Sequence, residues 1–578
     1  QSVATSTGKK VLGLWDGHDC GAALVVDDQL ICAINEERLS RRKLEVGFPQ
    51  LSIQEVLKQS GVLAHEIDTV AFSTSDFAKT LSRFFPALQE EYYQLRRRQK
   101  RAGRLARYKK LLKYKLTEIP STYLTSKLTR YIVQRRLCRY GLKHAEPRLV
   151  NHHAAHAATA AFTAPFAEGL VLTIDGIGDG SSGSIAVLKD GKLHRHVELP
   201  GHASLGIFYE HVTNLLGMRE LEDEGKVMAL ADVAAPIPNS KNPLLSFFSV
   251  AGLNINARYS SLRMYRELKR VLTNYTAEQF AYLAQRALEA HIIALVKNAL
   301  NVTGQRKISY SGGVASNIKV NLLIRELDEV DDLYVFPHMG DGGLAVGAAL
   351  WSNYIERNIS SYNIPDLFFG PGYSQAEVVE LLSNRPGYHV LQVEDAIKAA
   401  ALLILQGEVL IWYVGKMEYG PRALGSRSII ARADSLELRD RLNLELKERA
   451  WYQPFCPSLL ERDAREIFLD FKGSPDRFMT SAYRVKLDMR ERIKGVIGGD
   501  GTCRPQIVSE DSGSPFAQLL RAVREATGLG VVLNTSLNRH GEPMACSPCE
   551  ALQMFAEIDL QYMFIEGILV TKSHSEGA

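Results

Sequence analysis

The stretch that decides the fold is EGLVLTIDGIGDGSSGSIAVLKDGKLHRHVEL, residues 168–199. It reads as a β-strand, Asp175-Gly176, a glycine-rich tight turn, a second strand, the turn Asp190-Gly191 and a third strand. The same unit stands earlier, in KKVLGLWDGHDCGAALVVDDQLICAINEERLSRRK, residues 9–43. There Val11 to Trp15 is a strand and Asp16-Gly17 a turn. Ala22 to Val26 is a second strand, Asp27-Asp28 a turn, and Leu30 to Asn35 a third. One Asp-Gly turn is common. Two in matching frames, each followed by helical sequence, indicate an internal duplication.

A duplicated β-β-β-α unit resembles the plan shared by actin, the heat-shock chaperone ATPases and the sugar kinases. In that plan two glycine-rich hairpins cradle phosphates with backbone N–H groups. Further pieces fit. A long helix opens at the capping box Thr276-x-x-Gln279 and runs to about Val302, with Gly304 as its stop. KISYSGGVASNIKVN (307–321) gives a strand, a turn at Gly312-Gly313 and a helix entry near Asn317, a place where backbone N–H groups favour an anion. LYVFPHMGDGGLAVGAALW (333–351) puts Asp341 and Gly342 between a strand and a helix. Ligand-binding carboxylates commonly stand there in α/β folds.

Bulk properties bound the answer. A chain of 578 residues exceeds one core, and two or three domains are expected. No apolar run approaches the roughly 18 residues of a transmembrane helix. The start, QSVATSTGKK, has no apolar signal-peptide core and no initiator Met, and reads as a trimmed end. Seven scattered cysteines suit a reducing cytoplasm better than a disulfide framework. Cys546 and Cys549 form a C-x-x-C without a second such pair, which is a weak metal signal. Net charge is +4, from 69 basic and 65 acidic residues. Eleven of the basic ones lie between Arg96 and Lys115 with no acid among them, so the remainder stands at −7. Leu95, Leu105, Leu111, Leu112 and Leu116 suggest one basic amphipathic helix there. It suits nucleic acid or a membrane surface, or simply a solvated helical insertion. The last is preferred.

VNHHAAHAATAAFTAP (150–165) places three histidines in an alanine run. Alanine favours helix, so His152 and His156 share a face and His153 points elsewhere. The pair suits a metal; the plainer reading is polar residues at a helix start capped by Asn151. A zinc-protease motif is excluded, because its second position must be Glu and here it is His153.

The motifs together resemble the NodU/CmcH/TobZ family of O-carbamoyltransferases. The first half carries DGHDCGAALV, INEERLSRRK…GFP, NHHAAHAA, TIDGIGDGSSGSI, SLGIFYEHVT, EDEGKVMALA, YSGGVASN and HMGDGGLAVGAA. The second carries KMEYGPRALGSRSI, LNLELKERAWYQPFCPS, DGTCRPQIVSED and NTSLNRHGEPMACSPCEAL. The match runs in order over nearly the whole chain.

The resemblance implies an α/β chain in two parts. Residues 1–357 would be an actin-like (ASKHA, TsaD-like) β-β-β-α-β-α duplication with a basic helical insertion over about 80–145. Residues 358–578 would be a YrdC-like domain, with room for the last residues to pack back on the first. It implies that carbamoyl phosphate and ATP give carbamoyl-adenylate in the second domain. The first domain then passes the carbamoyl group to a hydroxyl of a small natural product. Fe(II), or another divalent metal such as Zn, Mn or Mg, is expected on His152, His156, Asp341 and Asp175. His18 is expected as the base that takes the acceptor's proton, with Asp175 beside it. Gly176, Gly178, Lys226, Gly312, Gly313, Asn317 and Gly342 are expected around the nucleotide. Lys43 and Lys226 lie in matching stretches, where a phosphate or a surface role is open. Carbamoyl phosphate, a small dianion, needs convergent cations. Arg422, Lys447, Arg449 and Arg504 are expected to supply them, with Arg427 a further candidate and Asn534, Ser536 and Asn538 adding hydrogen bonds. One departure is Gln453, where the family commonly has Arg. The implied protein is cytoplasmic, off the membrane, without nucleic acid, and compatible with a homodimer. A sugar kinase, a threonylcarbamoyl-type tRNA-modifying enzyme and a nucleotide-gated binding protein are the competing readings.

Overall fold

The computed structural model describes residues 8–101, 103 and 106–573. The reading of the first residues, the place of Leu105 on a basic helix and the tail beyond Ser573 lie outside the described residues.

The first sheet contains β1 (Lys10–Trp15), β2 (Gly21–Val26), β3 (Gln29–Asn35), β4 (Thr69–Ser73) and β5 (Glu146–Val150), in the order β3-β2-β1-β4-β5. A second sheet contains β6 (Gly169–Gly178), β7 (Ser181–Lys189) and β8 (Lys192–Pro200). After a small hairpin of β9 (Phe248–Ala251) and β10 (Asn254–Ala257) it is completed by β11 (Lys307–Ser311) and β12 (Asp332–Val335). Its order, β8-β7-β6-β11-β12, repeats the first. The directions repeat too. β1 is antiparallel to β2 and parallel to β4, and β6 is antiparallel to β7 and parallel to β11. This is the duplicated actin-like α/β architecture expected from the two Asp-Gly hairpins. Asp16 directly follows β1 and Asp175 lies within β6, the matching central strands of the two halves.

The alanine-rich run forms the helix His152–Thr163, and all twelve of its residues are buried. Small side chains there have a packing reason. A Cβ on Gly347 of the helix Leu344–Arg357 would come within 2.2 Å of the Ala155 carbonyl oxygen, so the two helices touch through backbone. The helix Leu344–Arg357 packs in turn on β1, β2 and β4. The long helix is Ala277–Thr303, opened by the Thr276/Gln279 capping box and closed by Gly304 in the left-handed region.

Between β4 and β5 stand four helices, Phe77–Phe84, Pro86–Arg96, Ala106–Thr117 and Tyr123–Cys138. Among the described residues of Arg96 to Lys115 the expected single basic helix is not present. One helix ends at Arg96 and the next opens at Ala106, and Arg98 has φ +58. The basic side chains have specific partners. Arg97 and Lys110 pair with Glu222 and Glu220. Lys110 also lies 3.6 Å from Glu210, and Arg98 donates to the Gly217 carbonyl at 2.6 Å. The acidic MRELEDEG segment (218–225) is their counterpart, a pairing invisible when the block is read alone.

The described residues divide into two compact units. One runs to Ser40 and resumes over Leu44–Ile364; the other holds Arg41–Lys43 and the chain from Pro365. The division falls after the expected boundary at 357/358. Tyr362 is buried in the first unit, its N–H on the Phe162 carbonyl at 2.7 Å and its hydroxyl 3.2 Å from Asn353 Nδ2.

The second unit is built on an eight-stranded mixed sheet of β13 (Tyr388–Val390), β14 (Leu410–Tyr413), β15 (Arg427–Arg432), β16 (Cys456–Leu460), β19 (Gln506–Val508), β20 (Val531–Ser536), β21 (Tyr562–Ile565) and β22 (Ile568–Lys572). Its order is β13-β22-β21-β14-β15-β20-β16-β19, with β17 (Tyr483–Arg484) and β18 (Thr502–Cys503) as a separate pair. Apolar clusters cover both faces, Trp412 stacking on Phe564 at 4.2 Å in one of them. β22 ends the described chain inside this unit, paired with β13 and β21. No helix among the described residues is long and apolar enough to cross a membrane.

Candidate functional site

The helix His152–Thr163 begins against the second sheet. Asn151 caps it, accepting from the Ala154 N–H at 3.1 Å. One turn apart, His152 and His156 turn their Nε2 atoms to the same point. Asp175, in β6, brings Oδ2 to 2.8 Å from His152 Nε2 and 3.2 Å from His156 Nε2. Asp341, in the turn before the helix Leu344–Arg357, brings Oδ1 to 3.4 and 3.3 Å from the same two nitrogens. The four donor atoms lie within 4.8 Å of one another.

This donor set fits a divalent cation. Two imidazole nitrogens and two carboxylates suit Fe(II) or Zn(II), and the separations are of the size that a metal with bonds of about 2.1 Å bridges. The outer atoms of the imidazoles are held as metal-bound histidines usually are. His152 Nδ1 lies 3.0 Å from Thr74 Oγ1, and His156 Nδ1 lies 3.5 Å from Ser311 Oγ. Asp175 Oδ1 accepts the Gly313 N–H at 2.9 Å. Burial pulls both imidazoles toward neutrality, but the facing carboxylates outweigh it and raise their pKa. Burial likewise works against ionised Asp175 and Asp341, yet the histidines hold both carboxyls below the usual range. The two carboxyls and the two imidazoles thus favour each other's charged forms at one buried point.

His18 follows β1 and forms an isolated bridge with Val46. Its Nε2 lies 3.3 Å from the outer oxygen of Asp341, Oδ2. Burial lowers its pKa to about 4, against the pull of Asp341. At neutral pH it is an imidazole able to accept a proton. His153 faces away, toward Thr173 Oγ1 at 3.2 Å and the Ser181 carbonyl at 2.9 Å.

The other expected residues divide. A Cβ on Gly178 would lie 2.2 Å from His152 Cγ, so glycine is what lets the β6 turn reach the imidazole. Gly312 adopts φ +104, and Gly313 carries the N–H that Asp175 accepts. Gly176 follows Asp175 in β6, where a Cβ would meet Ile207, and Gly342 follows Asp341, where a Cβ would meet Asp19 Oδ2 and His338. Asn317 caps the helix Ile318–Glu326 and bonds to Gln285 at 2.9 Å, so its side chain is committed within the fold. Lys226 is paired with Asp223 at 2.7 Å.

Sequence reasoning missed Asp16 and Asp179. Asp16 is the counterpart of Asp175 in the first half. Instead of facing the histidines it takes a buried ion pair with Arg83 at 2.7 and 2.9 Å, and Lys79 lies at 3.0 Å. Asp179 holds the helix entry, accepting the His152 and Ser75 N–H groups at 2.8 and 3.0 Å. Its place in IDGIGD was the available signal; Arg83 offered none.

In the second unit Arg422, Arg449 and Arg504 form a cluster. Burial, then the nearness of Arg504, lowers Arg422 to about 9, and burial lowers Arg449 to about 10. None of the three makes an ion pair with a carboxylate among the described residues. The Nε atoms of Arg422 and Arg504, Oδ1 of Asn534 and Oε1 of Gln453 are buried without a partner. Unpaired buried polar atoms in one place point to a missing ligand. Two expected cations are otherwise engaged. Lys447 donates to the carbonyls of Ser536 and Asn538 at 2.5 and 2.8 Å, and burial, then Arg449 and Lys43, push its pKa well down. Ser536 thus contributes its carbonyl there, and its hydroxyl bonds to Asn538. Arg427 is fully buried and donates to the Val414, Gly415, Cys546 and Pro371 carbonyls. It braces the sheet and is not available to an anion. Cys546 is buried and Cys549 is exposed with Arg385 at 3.0 Å, and no metal-holding group forms there among the described residues.

The chain thus joins a duplicated α/β unit with a buried His/Asp constellation to a second unit with a buried arginine cluster. Comparison with known proteins is specific. Residues 10–350 match the family model described as Carbamoyltransferase N-terminus, and residues 401–572 match Carbamoyltransferase C-terminus. The chain belongs to the carbamoyltransferase family and is a carbamoyltransferase. It is similar to nodulation protein NolNO of Sinorhizobium fredii, 31% identical over 96% of this chain and 79% of that protein. It is also similar to an uncharacterised protein of Methanocaldococcus jannaschii, 30% identical over 97% and 99%. Among solved structures, HypF of T. kodakarensis matches 61% of this chain and 49% of its own at 14% identity, with a TM-score of 0.33.

Proposed function

We propose that the chain is an ATP-dependent O-carbamoyltransferase that carries a carbamoyl group from carbamoyl phosphate, by way of carbamoyl-adenylate, to a hydroxyl of a small natural product. The observation that carries the reading is the Asp341 carboxylate, shared between the His152/His156 pair and His18.

In the second unit Arg422, Arg449 and Arg504 would hold the phosphate of carbamoyl phosphate. Water releases phosphate and leaves carbamate. A carbamate oxygen attacks the α-phosphorus of ATP, and pyrophosphate departs. Asn534 Oδ1, unpaired at this point, suits the carbamoyl NH2. The missing Arg at Gln453 leaves three guanidiniums, enough to neutralise a dianion.

In the first unit the glycine turn Gly176–Gly178 would offer backbone N–H groups to the adenylate, while the Gly312 and Gly313 N–H groups go to the Met339 carbonyl and Asp175, so that turn would give close backbone approach only. His18 takes the proton of the acceptor hydroxyl at Nε2. The hydroxyl oxygen attacks the carbamoyl carbon, AMP leaves, and the acceptor becomes a carbamate ester. Asp341 orients His18 and stabilises the imidazolium that forms. A divalent metal, Fe(II) or one of Zn, Mn or Mg, would be held by His152, His156, Asp175 and Asp341 and would supply Lewis-acid neutralisation of phosphate charge.

The test is isotopic. ¹³C-labelled carbamoyl phosphate, ATP and a panel of hydroxyl compounds are incubated with the protein and analysed by mass spectrometry. The reading expects an acceptor bearing the labelled carbamoyl group, together with AMP. A phosphorylated acceptor with ADP would replace it by a kinase.

A further inference from the structure

Cys456 opens β16 and sits directly opposite Asn534 in the antiparallel register of β16 and β20. Opposed residues share one face of a sheet. Its sulfur accepts from Arg504 Nη2 at 3.1 Å. Arg422 and Arg449 are also close enough for the thiol to act on their charge. Arg449 lies 4.1 Å over the neighbouring Phe455 ring. Asn534 is 2% exposed, and its Oδ1 has no partner. The thiol therefore stands among three guanidiniums that make no ion pair with a carboxylate among the described residues.

We propose that Cys456 is a peroxide-reactive site, at which oxidation closes the arginine pocket to its oxyanion substrate. The proposal rests on reading the arginine cluster as that oxyanion site. Reactive cysteines stand in electropositive surroundings, and here Arg504 Nη2 lies 3.1 Å from the sulfur. Attack of the thiolate on hydrogen peroxide forms the S–O bond of a sulfenic acid, breaks the O–O bond and releases hydroxide; sulfur is oxidised and peroxide reduced. The added oxygen then occupies the place of a phosphate oxygen.

Six other cysteines serve as internal references. Cys503 and Cys546 are buried in the same unit, and Cys138 and Cys549 are exposed. The full chain is given a short pulse of hydrogen peroxide, sulfenic acid is trapped with dimedone, and the peptides are mapped by mass spectrometry. Cys456 is expected to label roughly tenfold faster than Cys503 and Cys546. Millimolar inorganic phosphate should slow Cys456 several-fold and leave Cys138 unchanged, and Arg504→Ala should slow it as well. Labelling of Cys456 no faster than Cys503, or labelling indifferent to phosphate, overturns the proposal, and the wild-type comparison stands without any variant. If phosphate shields Cys456 while carbamoyl phosphate supports no pyrophosphate release from ATP, the carbamoyl-adenylate reading fails and the oxidation site survives.

Discussion

The two oxygens of Asp341 serve different partners: Oδ1 lies 3.3 Å from His156 Nε2 and Oδ2 lies 3.3 Å from His18 Nε2. One carboxylate thus joins the metal-type ligands to the candidate base. Substitutions at its two ends should separate. His18→Ala should keep a bound divalent metal by elemental analysis and lower carbamoyl transfer about 10²–10⁴-fold. Asp341→Asn should lose both. Chelation should lower the melting temperature of the wild type and added metal restore it, whereas Asp341→Asn should respond to neither; a ligand at about 100 times its Kd stabilises by about 2.7 kcal/mol.

Gly178 gives a test that touches no ligand. A methyl group there would stand 2.2 Å from His152 Cγ. Gly178→Ala should tilt that imidazole and weaken metal binding about 10–100-fold, the size of an outer-shell defect. Far-ultraviolet circular dichroism should remain that of the wild type. Unchanged metal affinity would mean that His152 is not a ligand.

The duplication was legible because Asp-Gly turns and strand alternation are local signals, and β1–β3 and β6–β8 fall where the two quoted stretches place them. The His152/His156 pair was legible for the same reason, through helical spacing. What was not legible came from distant pairing. Asp16 and Asp175 stand in matching frames, yet Arg83, from the insertion, claims Asp16. Arg427 and Lys447 carry the right charge in the right motifs, but backbone carbonyls from remote segments surround them. The basic block read as one helix because its acidic partners, Glu210, Glu220 and Glu222, lie about a hundred residues on.

The Asp16–Arg83 pair is expected to set acid stability. Burial alone would raise the Asp16 carboxyl, but Arg83 and Lys79 outweigh it and hold the pKa below the usual range. Its stabilisation is complete above the unfolded-state value of about 4 and is lost as pH falls below it. Asp16→Asn should therefore be less stable than the wild type at pH 7 and show a flatter loss of stability between neutral and acid pH. Arg83→Met, which leaves the buried Asp16 carboxylate with Lys79 as its one remaining cation, should cost up to about 3–5 kcal/mol in urea unfolding at pH 7.

Arg422 separates the two units' chemistry. Arg422→Ala should raise the KM for carbamoyl phosphate at least tenfold, a loss of about 1.4 kcal/mol or more. Metal content and the melting response to metal should stay as in the wild type, because those ligands lie in the first unit.

The most direct measurement is the product of ATP turnover by the purified protein with Fe(II) or Mg, with and without carbamoyl phosphate. The account predicts pyrophosphate that appears only when carbamoyl phosphate is present and is lost in Arg422→Ala. ADP in its place, or pyrophosphate formed equally without carbamoyl phosphate, would contradict it.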